Sequence, residues 1–215
     1  MRSFFCAAAL TAVVLASAQD ASAGFVLQSS SREVSVTAGG SVVDSESNAG
    51  FGPWFGSASS NTASYTALAT QGSGLSYSEM TFVGAAQLEV LAVAGIAAQS
   101  SASVSFLADS NESIAWIADL WRESLGAGNT AAIALSVFDV TANSVVLAFT
   151  GPSLGSGSFD IVAGHAYRLD LAALTTANGP VNALANYNVG FFSTVPTPGA
   201  VALLGLVGLT ARRRR

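Results

Sequence analysis

The sequence predicts an all-β protein: a single β-sandwich or jelly-roll-like domain, flanked by an N-terminal signal peptide and a C-terminal single transmembrane helix. Three observations carry this expectation. Apolar and polar residues alternate in short runs through the middle of the chain. Turn-forming clusters of Gly, Asn, Asp and Pro separate those runs. Both ends are apolar and are bordered by arginine rather than by the mixed charges of a folded surface.

Residues 1–23 have the layout of a secretory signal peptide. Arg2 supplies the positive start, Phe4 to Ala16 the apolar stretch, and Ala21-Ser22-Ala23 the small residues a signal peptidase requires. Cleavage after Ala23 makes Gly24 the first mature residue. Cys6, the only cysteine, lies inside the removed segment. The mature chain is therefore expected to have no disulfide, thiol nucleophile or thiolate metal site, and to be held together by core burial.

Residues 24–194, about 170 in all, are enough for one domain with a substantial core. Alternation is visible at Arg32–Thr37, Leu88–Val93, Val104–Phe106, Ile133–Phe138, Ser144–Phe149 and Phe159–Ile161. It is cleanest at Tyr167-Arg168-Leu169-Asp170-Leu171, where the apolar residues share one face. Turns are expected at Gly39-Gly40, Gly72-Ser73-Gly74, Asp109-Ser110-Asn111, Gly126-Ala127-Gly128-Asn129 and Gly151-Pro152. Ile114–Leu125 admits two readings. As a helix it gathers Ile114, Ile117, Trp121 and Leu125, but sets Asp119 and Glu123 four apart as like charges. As a strand it gathers Ile114, Trp116, Ala118 and Leu120, and this reading is favoured. A pairing of Phe25–Ser29 with Asn188–Phe192 would bring the mature N-terminus to the membrane side.

The tail, residues 195–215, has three parts in a fixed order. A proline turn (Val195, Pro196, Thr197, Pro198) comes first, then an uncharged segment over 199–211, then Arg212, Arg213, Arg214 and Arg215. The prolines bar helix before about Pro198. The apolar segment makes a helix of roughly 20 Å, shorter than a hydrocarbon core of about 30 Å. Snorkelling arginines offset the deficit and hold that end in the cytoplasm.

This order resembles the PEP-CTERM sorting signal of bacterial envelope proteins, in which a Pro-Glu-Pro motif precedes one hydrophobic helix and an arginine-rich end. Pro196-Thr197-Pro198, Ala200 to Leu209 and Arg212 to Arg215 carry the resemblance, which covers about a tenth of the chain; Thr197 replaces the usual glutamate. The residues Gly155 to Ile161, as a Gly/Ser-rich link running into a strand, then Ala163-Gly164, Tyr167 and Leu169, followed by an aromatic strand over Tyr187–Ser193, are also similar to the β-sandwich region of many such proteins. The resemblance implies export by a Sec-type machinery and recognition by an exosortase-like enzyme, with cleavage near Val195 to Pro198. It further implies anchorage in the inner membrane through 199–215 or release to the surface and matrix, and association with extracellular polysaccharide.

Charge narrows the partners. Outside the two ends, three arginines (Arg32, Arg122, Arg168) face twelve acids, an excess of about nine negative charges. Nucleic acid is therefore not an expected partner.

Catalytic and metal readings are weak. His165, the only histidine, has Asp160 or Asp170 as a possible orienting carboxylate, but it sits in a turn sequence. One histidine and no mature cysteine cannot make a zinc site. Asp109, Asn111 and Glu112 form the best oxygen cluster for calcium, yet without the spacing of a calcium-binding loop. Trp116 reads as core, Trp54 as a loop anchor with Phe51 and Phe55 beside it as anchors or a surface patch, and Trp121 as half-exposed. No catalytic residue, cofactor or metal is expected. The expected function is a non-catalytic structural or adhesive role at the envelope. A carbohydrate-binding module, betrayed by Trp54 or Trp121 on an exposed face, is the first alternative. A secreted glycan-active enzyme is the second.

Overall fold

A computed structural model describes residues 24–92, 94–125 and 129–193. Its described residues form twelve antiparallel strands in two six-stranded sheets, packed face to face as a β-sandwich. The predicted signal peptide and tail (1–23 and 195–215) and most of the turn at Gly126–Asn129 lie outside the described residues.

In chain order the strands are β1 (Phe25–Ala38), β2 (Ser41–Asn48), β3 (Trp54–Asn61), β4 (Tyr65–Leu75), β5 (Glu79–Val90) and β6 (Ile96–Ala108). They continue with β7 (Glu112–Leu125), β8 (Thr130–Asp139), β9 (Ser144–Thr150), β10 (Ser153–Ile161), β11 (Ala166–Ala177) and β12 (Val181–Ser193). Sheet A has the order β2-β1-β6-β11-β8-β9, and sheet B the order β10-β7-β12-β5-β4-β3. The last two strands enter the middle of each sheet: β11 between β6 and β8, β12 between β7 and β5. Neither sheet is continuous until the chain is nearly complete, a topology dominated by non-local pairing.

Ile114–Leu125 lies within strand β7. Trp116, Ala118 and Leu120 point between the sheets, while Ile117, Asp119 and Trp121 point outward. The Gly39-Gly40 turn is a two-residue hairpin with positive φ at both glycines (59° and 80°), closing directly on the Ala38–Ser41 pair. Such a turn matches strand twist and favours glycine at both positions.

Four expectations need correcting. Gly72-Ser73-Gly74 is not a turn but the interior of β4, where Gly72 pairs with Phe55 and Val83. Gly155–Ser158 is not a link but strand β10, its glycines making room for the Trp116 indole at 3.1–3.2 Å from where a Cβ would stand. Phe25–Ser29 does not pair with Asn188–Phe192: β1 pairs with β2 and β6 in sheet A, and β12 lies in sheet B. The strand at Leu88 also ends at Val90, leaving Leu91 exposed in the following turn.

The core is drawn from both sheets and is rich in alanine, with Ala58, Ala69, Ala86, Ala98, Ala173 and Ala185 fully buried. Larger residues gather at one end, where Phe106 meets Phe25 edge to face at 5.1 Å and stacks on Tyr167 at 5.4 Å. All of these residues lie within 25–191, so among the described residues both sheets and the core between them belong to the stretch 24–193.

Candidate functional site

The outer face of sheet B carries the most binding-like surface. Cross-strand register aligns Leu154, Asp119, Asn188, Val83, Gly72 and Phe55 in one row over all six strands. Five strand spacings of about 4.8 Å make this row roughly 24 Å long. The next row sets Trp121 beside Asn186, then Ala85 and Thr70. Gly72, lacking a side chain between Phe55 and Val83, floors a groove of about 580 Å³ that continues past Asn186 and Asn188 to Asp119. Phe55 is 71% exposed, Trp121 44% and Leu154 79%. Flat apolar rings flanking amide and carboxylate groups offer stacking and hydrogen bonding to the same ligand.

The three tryptophans thus divide by strand parity. Trp54 and Trp116 point inward: the first covers the Arg32 guanidinium at 5.6 Å, the second packs on Phe149 at 4.8 Å. Trp116 is only partly buried, at the margin of the core. Only Trp121 meets the condition set for a sugar-contacting tryptophan. Phe55, which sequence reasoning treated as an anchor or patch residue beside Trp54, belongs to this face. Asn186, Asn188 and Asp119 carried no sequence signal, because only register brings β12 beside β7.

The outer face of sheet A is different. Ser31, Ser101, Ser103 and Ser136 line a smaller groove of about 280 Å³. Asp170 there accepts hydrogen bonds from Ser103 Oγ and Arg168 Nε, both at 2.7 Å.

His165 joins neither of the carboxylates expected for it. Asp170 is engaged by Arg168 and Ser103, and Asp160 lies on β10 opposite Ser113. Its Nδ1 lies 2.8 Å from Oδ2 of buried Asp139, at the end of β8. Burial pushes the Asp139 carboxyl up, but the His165 hydrogen bond, the Ala142 N–H and the imidazole charge outweigh it. They hold the group below the usual carboxylate range. Burial raises the Tyr167 phenol, with the Asp139 charge adding to it. The Tyr167 hydroxyl accepts the Val162 N–H at 2.9 Å, and Thr141 Oγ1 accepts the Ala166 N–H at 2.9 Å. These bonds tie the β8–β9 turn to the β10–β11 turn, so the His165–Asp139 pair braces two loops.

The calcium candidates are dispersed. Asn111 Oδ1 accepts the Ala163 N–H at 2.7 Å, and Glu112 is turned into the protein, where it accepts the Ser193 hydroxyl at 2.5 Å. Among the described residues no three His, Cys, Asp or Glu side chains are grouped to hold a metal ion. No described helix is long and apolar enough to cross a membrane.

No protein family, curated protein or solved structure matches this chain.

Proposed function

We propose that this chain is an exported envelope protein whose sandwich domain binds neutral extracellular polysaccharide, without catalysis, through the outer face of sheet B. The observation that supports this reading is the exposed pair of rings, Phe55 and Trp121, flanking a groove with Asn186, Asn188 and Asp119. Rings stack on the apolar faces of sugars, and the amides and carboxylate accept or donate to hydroxyl groups. The acidic balance of the domain and Asp119 in the groove disfavour anionic glycans. In this reading the signal peptide delivers the chain to the Sec-type machinery. The tail then holds it in the inner membrane as a single helix until an exosortase-like enzyme cleaves near Val195 to Pro198.

Glycan-array and polysaccharide pull-down measurements on the segment 24–193 test the binding. Removing either ring (Phe55→Ala or Trp121→Ala) is expected to weaken binding roughly tenfold with Tm unchanged. Binding that is absent, or indifferent to both substitutions, overturns the assignment. Mass spectrometry of the native C-terminal peptide tests the tail. A chain ending near Thr194 supports processing, and an intact Arg215 supports a plain anchor.

A further inference from the structure

Glu112, at the start of β7, is a carboxylate placed where a carboxylate is costly. It is 9% exposed, and among the described residues only one of its oxygens is engaged: Oε2 accepts the Ser193 hydroxyl, whereas Oε1 has no hydrogen-bond partner there. A buried, half-satisfied carboxylate calls for a cation or a donor. The group lying against Oε1 is Gly24. A Cβ on Gly24 would overlap that oxygen, and would stand 3.0 Å from Ser193 Oγ. Because the nitrogen and that Cβ position share one Cα at bonds of about 1.5 Å, the Gly24 nitrogen lies no more than about 4.5 Å from Oε1, close enough for a small rotation to bring a charged amine onto it. Phe25 is fully buried and its N–H donates to Tyr77 O at 3.1 Å, which fixes the chain as it enters this position.

Gly24 is also the residue that signal-peptide cleavage after Ala23 would make the first of the mature chain. In the uncleaved chain its nitrogen is a neutral amide with one N–H. After cleavage it is an ammonium with three donors and a positive charge. We infer that removal of the signal peptide completes the fold: the new α-ammonium of Gly24 pairs with the buried Glu112 carboxylate. Glu112 thereby joins the first mature residue to Ser193, the last residue of β12. The same geometry gives a reason for glycine at the cleavage position, since any side chain would displace the carboxylate. This inference rests on the export reading for the cleavage itself, and on Gly24 and Glu112 alone for the pairing.

Two measurements separate those supports. N-terminal sequencing of the full chain, produced with its own leader in a bacterial host, is expected to begin at Gly24. A chain that keeps Met1 overturns the processing, and with it the inference. The pairing is read from a thermodynamic cycle on the segment 24–193. Chains with a free Gly24 amine are compared with chains retaining Ser22-Ala23 before it, each with Glu112 or with Glu112→Gln. With Glu112 present, the free-amine chain is expected to melt higher by roughly 4 °C or more. In Glu112→Gln that gap is expected to close. A gap of equal size in both backgrounds, or none with Glu112, overturns the pairing while leaving export intact. Should Glu112→Gln not fold, acetylation of the Gly24 amine in the Glu112 chain decides the matter: an unchanged Tm overturns the pairing, and a fall to the value of the extended chain supports it.

Discussion

The two long edges of the sandwich are closed by opposite chemistry. Between β2 and β3 the sheets are joined by polar side chains acting on backbone. The Arg32 guanidinium, 1% exposed, reaches across from β1. It donates to Gly52 O at 2.8 Å, Asn48 Oδ1 at 2.7 Å, Ser73 Oγ at 3.0 Å and Gly50 O. Asp44 and Glu46 of β2 accept the outward N–H groups of Ser59 and Ser57 on β3 at 2.8 and 3.0 Å. Between β9 and β10 the junction is aromatic: Trp116 meets Phe149 across the sheets, and Phe159 meets Phe191 beside them at 6.3 Å. The first edge caps unpaired donors that would otherwise template another strand. The second depends on buried ring area and leaves Val145 and Leu154 exposed. A sandwich short of large core residues can therefore be sealed either by hydrogen bonds that need fixed partners or by rings that need only volume.

That difference predicts unequal failure. The largest effect is expected from Arg32→Met, which removes four donated hydrogen bonds at the β2–β3 crossover and the cation under Trp54. A loss of about 3–4 kcal/mol in urea unfolding is expected, and Arg32→Lys should not restore it, because an ammonium lacks the planar fork. Trp116→Ala at the other edge should cost about 2–3 kcal/mol, less than for a fully buried tryptophan because this one is only partly covered. Asp44→Lys with Glu46→Lys should change stability by under about 1 kcal/mol yet uncover the edge of β3. Its signature would be concentration-dependent association in sedimentation.

The smallest effect expected is an acid limb set by Asp139, beside the aromatic edge. Its carboxyl is held below the ordinary value, so its stabilising contribution is complete above the unfolded-state value of about 3.9. That contribution is lost as pH falls through the folded-state value. Asp139→Asn should flatten the pH dependence of Tm below about pH 4. An unchanged acid limb would show that the His165 pair does not carry it.

How far the fold was legible depended on side-chain contrast. Tyr167–Leu171 and Ile133–Phe138 alternate large apolar with polar residues, and both sit inside strands as read. Between Ser41 and Gln87, three whole strands and most of a fourth escaped notice. In β3 and β4 the buried face is largely Ala, Gly and Gln and the exposed face Ser and Thr, so alternation in burial is real but alternation in hydrophobicity is faint. Glycine misled twice, at Gly72 and Gly155, because a glycine that makes room for a neighbouring ring looks the same in sequence as one that turns the chain. Of the candidate site, Trp121 was visible as a half-exposed ring and Phe55 as an anchor or patch residue; Asn186 and Asn188, and the meeting of all four, were not, since they come from strands 60 to 130 residues apart in the chain.

By itself the sequence determined the class of the fold, the strand nature of its best-patterned segments and the two-glycine hairpin, all of which follow from periodicity and local backbone preference. It also framed the expected targeting ends. Only the tertiary structure decided which strands are neighbours, and therefore which edge is polar and which aromatic, and that His165 meets Asp139. It alone set Glu112 against both ends of the domain. Pairing of distant strands is chosen by the shared burial of two whole sheets, and no short stretch of chain contains that information.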